Sequence, residues 1–345
     1  MKKLLLLISL PFLAAAQVPQ YYSSIDFSLT GDALKAQLAT LITDTHTTEL
    51  VYTPGAWDAL VQTDLDPTNS ENVLLVYGYD DTDTDVSTDR TRDKDLSCHT
   101  SSCTGLWVRE HVYPRSLGNP NLEFEGPGSD AHHLRAIDNS MNGSRSNRIF
   151  ADGSGNATTL PNDQFYPGDE WKGDVARMMM YMYVRYNTQC EATVVGAGDT
   201  SYSTYGDMPN IFLEWNEEDP VSYYETNRND VLQQLQGNRN PFIDNPYLAN
   251  RIWNGPQAED TWGLLATVTN KLNNIYLYPT CTNDEVHIMN TEGEKYNYAL
   301  YNMLGQQIPI SVTNGTFSVE KNAPGMYFLT ITNGKTVKIL KLIHK

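Results

Sequence analysis

Residues 107–148 contain two segments rich in polar and charged side chains, WVREHVYPRS (107–116) and GSDAHHLRAIDNSMNGSRSNR (128–148). In the first segment, residues 107–111 are typical of a short strand, and Pro114 marks a turn directly after it. The sequence therefore predicts a strand that presents its polar residues next to a turn.

The second segment predicts a helix whose polar residues share a face. If residues 138–147 are helical, Asp138, Asn142 and Arg145 stand at i, i+4 and i+7, which is one side of a helix. That side is expected to look back at the strand of the first segment.

The residue types on these two elements suit phosphodiester hydrolysis. His111 can deprotonate a water near neutral pH, and Glu110 and Asn142 offer the oxygen ligands that a hard divalent ion prefers. Arg145 can stabilise the negative charge that develops in the transition state. Taken alone these residues indicate a metal-assisted hydrolase and do not identify its substrate.

The local charge differs from that of the whole chain, which has 24 basic and 42 acidic side chains and a net charge of −18. In residues 131–150, three arginines stand against one aspartate, a net charge of +2, and two further arginines lie nearby: Arg135, Arg145, Arg148, Asp138, Arg109 and Arg115. The composition therefore excludes a protein that coats DNA generally, because such binding depends on many basic side chains. It leaves room for an enzyme that contacts a few phosphates.

Two features of this stretch have alternative interpretations. The adjacent His132 and His133 are equally consistent with buried, hydrogen-bonded side chains or with zinc ligands whose partners are missing. The arginines of the window could also form a solvated face paired with Asp138.

The first 16 residues are typical of a signal peptide, because Lys2 and Lys3 precede an apolar run at 4–13 and small residues at 14–16. The apolar run is shorter than the roughly 20 residues that a membrane span needs. Cleavage would remove the two lysines and change the charge from −18 to −20. The mature chain is expected to contain no transmembrane segment.

Four cysteines remain in an exported chain, where disulfides are allowed. Cys98 and Cys103 are close together in one loop and are predicted to form a bridge. The acidic loop at 80–95 is predicted to be solvated and not to bind calcium, because Val86 and Arg92 stand where an EF-hand needs Gly and Glu.

Apolar spacing predicts helices at 32–44, 174–186, 211–215 and 230–236, and VLLVY at 73–77 predicts a buried strand. From about residue 275, short alternating segments separated by Gly and Asn turns predict a small antiparallel β domain.

The two segments around His111 and Asn142 resemble the signature of the endonuclease I family of exported bacterial nucleases, which belongs to the His-Me finger (ββα-metal) class. The resemblance continues through GDVARMMMYMYVRYN (173–187) and IFLEWNEEDPVSYYETNRNDVLQQLQGNRNPFIDNP (211–246), in order, across roughly residues 20–255. It implies an α+β fold in which helices surround a ββα-metal nuclease domain.

The resemblance also implies roles for individual residues. His111 would be the general base that activates water, and Glu110 and Asn142 would bind Mg²⁺, with Ca²⁺ or Mn²⁺ as alternatives. Arg115 and Arg145 are both candidates for stabilising the cleaved phosphate.

Further positions match the family around this set. His132 or His133 would support or orient the site, and Arg148 is a third candidate for the phosphate contact. The block Asn238-Arg239-Asn240 would give the site structural support, with substrate contact as an alternative.

The C-terminal segments resemble a second family, the sorting domain of type IX secretion cargo, in IYLYPTCTNDEVHIMN (275–290), YALYNMLGQQI (298–308), APGMYFLTI (323–331) and a Lys-rich end. This resemblance implies passage across the outer membrane through secretion machinery, followed by release or attachment at the cell surface. The alternative is a β module that binds carbohydrate or packs on the nuclease.

Together with the signal peptide (1–16), the two resemblances predict a catalytic domain (17–258), a linker (259–274) and a β-sandwich sorting domain (275–345). The leading hypothesis is a secreted, magnesium-dependent endonuclease that cuts DNA and RNA without sequence specificity. The alternatives are a non-catalytic surface module that binds nucleic acid or acts as an adhesin, and a hydrolase for another phosphoester.

Overall fold

The computed structural model describes five stretches of the chain: residues 18–100, 102–265, 275–291, 295–332 and 337–345. The predicted signal peptide and residues 266–274 of the predicted linker lie outside them. Within these stretches no helix combines the length and the apolar character needed to cross a membrane. The chain divides into two compact units, Met1–Gly263 and Leu264–Lys345, which are described separately.

The first unit mixes helices with short strands. Its described helices are α1 (Gly31–Asp44), α2 (Gly55–Thr63), α3 (Asn139–Arg145), α4 (Lys172–Tyr186), α5 (Ala192–Val195), α6 (Asn210–Glu218), α7 (Tyr223–Gln236), α8 (Pro241–Asp244) and α9 (Tyr247–Trp253). Its described strands are β1 (Leu65–Asp66), β2 (Asn69–Leu74), β3 (Thr91–Asp93), β4 (Trp107–His111), β5 (Leu134–Asp138), β6 (Ile149–Phe150), β7 (Thr158–Leu160) and β8 (Gln164–Tyr166).

Helix α4 lies in the centre of the first unit. Nearly all of its residues are buried, which is the pattern of a helix surrounded by protein on every side. It packs against α1 and α6. The methionines between residues 178 and 182 are therefore core side chains, and the helix predicted at 174–186 is confirmed.

Helix α7 is longer than the sequence pattern predicted, because it has strong end signals. Ser222 and Glu225 form a reciprocal capping box at its start. Gly237 ends it with a φ of +94°, where an added Cβ would lie 2.3 Å from the carbonyl oxygen of Thr45. The apolar spacing captured only the last half of this helix.

The ββα unit formed by β4, β5 and α3 positions the polar residues of the site. Strands β4 and β5 pair antiparallel, with Glu110 opposite Arg135 and His111 opposite Leu134. Helix α3 begins directly after β5 because the Asp138 carboxylate accepts hydrogen bonds from the N–H groups of Ser140 and Met141. The same helix packs against both strands.

The strand predicted at 73–77 is correct only in part. Strand β2 ends at Leu74, and residues 75–77 are buried in a turn. The Val76 N–H nevertheless donates to the Ala136 carbonyl oxygen at 2.8 Å, so this turn is tied to β5. A buried apolar run satisfies its backbone here without continuing as a strand.

The positive window at 131–150 is not a solvated face, because two of its arginines are fully buried. Arg135 lies 3.3 Å from Asp64 and 3.1 Å from Asp174, and Arg145 lies 3.3 Å from Glu110. Asp138 pairs with Arg92, at 2.6 Å, and not with an arginine of the window. The net charge of +2 counted along residues 131–150 therefore does not give the charge at the protein surface.

The second unit is a β-sandwich. Its described strands are β9 (Tyr276–Tyr278), β10 (Cys281–Thr282), β11 (Glu285–Met289), β12 (Asn297–Asn302), β13 (Gln307–Ile308), β14 (Thr316–Ser318), β15 (Gly325–Thr332) and β16 (Val337–His344). Two sheets, ordered β10-β16-β15-β12-β13 and β14-β11-β9, share one apolar core.

One pair of strands departs from the predicted antiparallel arrangement. The short edge strand β10 pairs parallel with β16, with Cys281 opposite Ile343. A long connection separates these two strands, so no hairpin requires them to run in opposite directions.

One prediction for the loops is confirmed, the bridge between Cys98 and Cys103. In the acidic loop, the side chains of Asp80, Asp83 and Asp85 accept hydrogen bonds from N–H groups two residues further along the chain. Among the described residues, no three His, Cys, Asp or Glu side chains gather as a metal site.

Candidate active site

A polar pocket of about 440 Å³ opens beside β4, the following turn and α3. It is lined by Arg109, Glu110, His111, Pro114, Arg115, Ser116, Asn142, Ser146 and Asn147. The structure thus brings His111, Glu110, Asn142 and Arg115 together as the sequence predicted. The lining of this pocket does not include the other predicted site residues, His132, His133, Arg145 and Arg148.

The His111 imidazole is held in one tautomer. Its Nε2 lies 2.9 Å from the carbonyl oxygen of Gly128, and since a carbonyl only accepts, Nε2 carries the proton. The Nδ1 atom is therefore an unprotonated acceptor. Burial, together with the nearby His133 and Arg115, lowers the pKa of His111 to about 3, so the ring is neutral at neutral pH.

Glu110 is a buried carboxylate, 3% exposed, at the base of the pocket. Its Oε1 accepts a hydrogen bond from the Tyr77 hydroxyl at 3.3 Å and lies 3.3 Å from Arg145 Nε. Burial raises the pKa of this carboxyl to about 7, although Arg145 and Tyr77 oppose that change. No hydrogen-bond donor among the described residues contacts its second oxygen, Oε2.

The Asn142 side chain is the second oxygen ligand that the pocket offers. In the described part of the chain its amide forms no hydrogen bond, whereas its backbone carbonyl accepts one from Ser146. A carboxylate oxygen and an amide oxygen without competing donors fit a hard divalent cation, which in proteins retains several waters. The donor set therefore fits Mg²⁺ better than zinc, which prefers nitrogen and sulfur ligands.

The arginines near the pocket differ in accessibility. Arg115 is half-buried, lines the pocket, and donates from Nε to the Leu122 carbonyl at 2.8 Å. Arg145 is fully buried and donates to the carbonyls of Val112, Ser146 and Arg148 at 2.7–3.0 Å. Its guanidinium holds together the turn after β4 and the end of α3.

Arg148 lies toward the outside of the same helix end. It donates to the Ser144 carbonyl at 2.6 Å and pairs with the exposed Asp163 at 3.0 Å. Its charge is therefore already partly neutralised.

His132 and His133 are buried and hydrogen-bonded, which is one of the two interpretations that the sequence allowed. The His133 Nε2 donates to the Pro127 carbonyl at 2.7 Å, and its Nδ1 faces the Tyr113 N–H at 3.4 Å. The His132 Nε2 donates to the Asn238 carbonyl at 3.3 Å. Burial lowers the pKa of each imidazole to about 4.

Residues 126–128 connect His133 with His111. The carbonyls of Pro127 and Gly128 are adjacent in the chain, and each accepts a hydrogen bond from one of the two imidazoles. The two rings lie 5.5 Å apart between centroids. An added Cβ at Gly128 would lie 1.5 Å from the Glu123 carbonyl oxygen, so only glycine fits here.

The block at 238–240 lies behind these histidines and gives structural support. The Asn238 amide donates to the Tyr181 hydroxyl at 2.7 Å, and the Asn240 amide donates to the Arg177 carbonyl at 3.0 Å. Arg239 pairs with Asp244 at 2.6 Å. The two amide contacts fix the loop after α7 against α4, and the ion pair ties it to α8.

Sequence reasoning missed several residues that shape the site. Tyr77 contacts Glu110, Gly128 contacts His111, and Asp130 accepts hydrogen bonds from the hydroxyls of Tyr181 and Tyr186 at 2.7 and 2.8 Å. Each of these contacts joins segments distant in the chain. Of these residues, only Gly128 and Asp130 could have been found from the sequence, because they lie in the same motif as His132 and His133.

A neutral imidazole beside a carboxylate, a free amide and two arginines defines a site suited to hydrolysing phosphate esters. Residues 30–247 match the endonuclease I family, and the chain belongs to that family. The predicted resemblance is confirmed, and membership makes the protein a nuclease.

Curated relatives agree with this family. An extracellular ribonuclease of Bacillus subtilis (strain 168) is 37% identical over 72% of this chain and 83% of its own length. An extracellular ribonuclease of Bacillus amyloliquefaciens is 36% identical over 69% of this chain and 80% of its own. A periplasmic deoxyribonuclease of Aeromonas hydrophila is 26% identical over 36% of this chain and 51% of its own.

The second unit has its own family. Residues 276–345 match the secretion system C-terminal sorting domain. The protein is therefore secreted or exposed at the cell surface, as the sequence predicted.

Proposed function

We propose that the chain is a magnesium-dependent endonuclease of the His-Me finger class that cuts DNA and RNA without sequence specificity. The observation that carries the proposal is the His111 imidazole, whose free Nδ1 shares a pocket with Glu110, Asn142 and Arg115. The antiparallel pair β4–β5 followed by α3 supports the class. Relatives named as a ribonuclease and as a deoxyribonuclease support both substrates.

In the proposed reaction, His111 Nδ1 accepts a proton from a water that attacks the phosphorus. A phosphorus–oxygen bond forms to that water, the bond to the leaving ester oxygen breaks, and the leaving oxygen takes a proton from solvent. Burial, together with the nearby arginines, keeps the free imidazole neutral. The negative charge of a bound phosphodiester opposes them and makes the ring a stronger base.

Of the three arginines that the sequence offered for the phosphate contact, Arg115 is the one that lines the pocket. Arg145 supports the site from below by pairing with Glu110. Glu110 Oε2 and Asn142 Oδ1 would hold Mg²⁺, which supplies Lewis-acid stabilisation of phosphate oxygens when bound. Contacts to phosphate carry little sequence information, which fits non-specific cleavage.

The test is cleavage of plasmid DNA and of single-stranded RNA by the full-length protein, with Mg²⁺ and with EDTA. We expect His111→Ala to lose at least a hundredfold in rate, in line with the loss of a general base. His287→Ala, on the exposed face of β11, is the matched control and should keep full activity. Undiminished cleavage in EDTA, or by His111→Ala, would contradict the proposal.

Metal binding can be measured apart from activity. Calorimetric titration of Mg²⁺ into wild type and Glu110→Gln should show weaker binding in the variant, because the amide removes the charged ligand. Equal affinity would contradict the assignment of Glu110. Retention of nucleic acid without any turnover would instead favour a non-catalytic binding module.

A further inference from the structure

A second cavity, of about 460 Å³, adjoins the polar pocket and is lined by Val51, Tyr52, Thr53, Phe124 and Glu125. Its apolar side chains are unusually accessible: Phe124 is 50% exposed and Val51 is 62% exposed. Large apolar side chains that remain exposed together around a concave surface indicate a binding site.

Aromatic rings connect this cavity with the polar pocket. The Tyr52 ring stacks on His111 at 5.5 Å between centroids and an interplanar angle of 25°. The Phe124 ring lies 4.7 Å from the Tyr52 ring. The Tyr52 side chain therefore connects the His111 imidazole with the exposed Phe124 ring.

Arginines stand behind both rings. The Arg115 guanidinium lies over Phe124 at 3.9 Å from the ring centroid, and Arg109 lies over Tyr52 at 3.5 Å. Both arginines also line the polar pocket. A phosphate held there is consequently next to an aromatic surface.

The polar pocket and the aromatic cavity carry side chains of opposite charge. The polar pocket carries Arg109 and Arg115, whereas Glu125 and the exposed Glu123 flank Phe124. Carboxylates repel a phosphate, so the aromatic cavity suits an uncharged, flat group attached to the phosphodiester. In nucleic acid that group is the base.

We propose that the Tyr52–Phe124 cavity is a base-binding subsite, in which a nucleobase next to the scissile phosphate stacks on Phe124 while the phosphate contacts Arg115. This inference rests on the proposed nuclease function and specifies the form of its substrate. A base can stack there only when it is unstacked from its neighbours, so single strands are the preferred substrate. Stacking on an aromatic ring accepts every base, consistent with cleavage that ignores sequence.

The experiment uses short single-stranded oligothymidylates in which methylphosphonate linkages block every bond except one phosphodiester. In one series both residues that flank this bond carry bases, and in the other they are abasic. For wild type in Mg²⁺ we expect the KM of the abasic substrate to be about tenfold higher, the size of one base–aromatic stack. Phe124→Ala should raise the KM of the base-bearing substrate about tenfold and leave the abasic substrate unchanged.

Two variants separate stacking from a structural role. Phe124→Trp should keep the difference between the substrates, since it offers a larger ring. Tyr223→Ala, at an aromatic residue that is 76% exposed at the start of α7, is the matched control and should behave as wild type.

Three outcomes would overturn the subsite. Phe124→Ala could lower kcat equally on both substrates, which would mean that Phe124 only positions Arg115. The difference between the substrates could persist in Phe124→Ala, or wild type could cleave both substrates equally well. Failure of wild type to cleave either substrate, or plasmid, would instead contradict the nuclease function itself.

Discussion

Arg115 and Arg145 belong to the same ββα region, yet they contact different kinds of partner. Arg115 lines the open pocket and covers Phe124 with its guanidinium. Arg145 is fully buried, and backbone carbonyls and Glu110 surround its guanidinium. The sequence treats them as equal candidates for binding phosphate. Accessibility shows that one can meet a substrate and that the other holds the site together.

The histidines also differ in whether they keep a ring nitrogen free to meet a substrate. His111 keeps Nδ1 free in the pocket, whereas both ring nitrogens of His133 face protein groups. The lesson is that residue type defines the available chemistry, and the number of unused polar atoms decides whether that chemistry reaches a substrate. The open set (Arg115, His111) should control the rate, and the buried set (Arg145, His132, His133) should control stability.

The largest expected effect is on the buried set. Arg145→Met leaves the Glu110 carboxylate and three carbonyls without their partner and should lower the free energy of unfolding by about 3–5 kcal/mol. Urea unfolding followed by tryptophan fluorescence measures this. Arg148→Met is the matched control on the same helix end, where the pair with exposed Asp163 should contribute less than about 1 kcal/mol. Similar losses in both variants would erase the distinction between buried and exposed arginines.

The next effect concerns the open set. Arg115→Gln should lower kcat/KM on DNA by a factor of about 10²–10³, corresponding to about 3–4 kcal/mol less transition-state stabilisation. Its free energy of unfolding should remain close to that of wild type, because the side chain is only half-buried. Normal activity in this variant would move the phosphate contact to Arg109.

The buried histidines predict a pH dependence of stability. Their folded-state pKa of about 4 lies below the ordinary value of about 6.5, with Asp130 and Arg228 facing both rings. Well above pH 6.5, these imidazoles are unprotonated in both the folded and the unfolded protein. As the pH falls from 6.5 to 4, the unfolded chain takes up protons that the folded protein refuses, which should remove roughly 3 kcal/mol per imidazole.

Urea unfolding at several pH values between 4 and 7 tests this dependence. The variant His133→Gln lacks one of the two titrating rings, so its stability should fall less steeply toward low pH than that of wild type. Equal slopes would show that His133 is already protonated or solvent-exposed in the folded protein.

The smallest effect is on salt dependence. Removing one cationic side chain that binds a phosphate should flatten the plot of log(kcat/KM) against log[salt] by roughly 1 in slope. Arg115→Gln should therefore be less sensitive to salt than wild type by about that amount. Lys94→Gln, at a partly exposed lysine paired with Glu71, serves as the control and should keep the wild-type slope. An unchanged slope in Arg115→Gln would argue against phosphate binding by this side chain.

Much of the fold could be predicted from local patterns. The strand at 107–111, the helix α4 and the β-strands of the second unit follow from apolar spacing, because burial of one face imposes a period on the sequence. The start of α7 was missed, since the cap at Ser222 and not apolar residues defines it. The parallel pairing of β10 could not be predicted, because pairing between distant strands has no local signal.

The class of chemistry and the residues that could perform it can be read from the amino-acid sequence: an imidazole, a carboxylate, an amide and several arginines lie close together in one stretch. The sequence also indicates export, through a recognisable sorting domain. The folded structure was needed to show which arginines and histidines keep polar atoms free, and that Tyr52 lies beside His111 and Phe124 beside Tyr52. The physical reason is that residue type is local, whereas burial and hydrogen-bond saturation depend on segments brought together from across the chain.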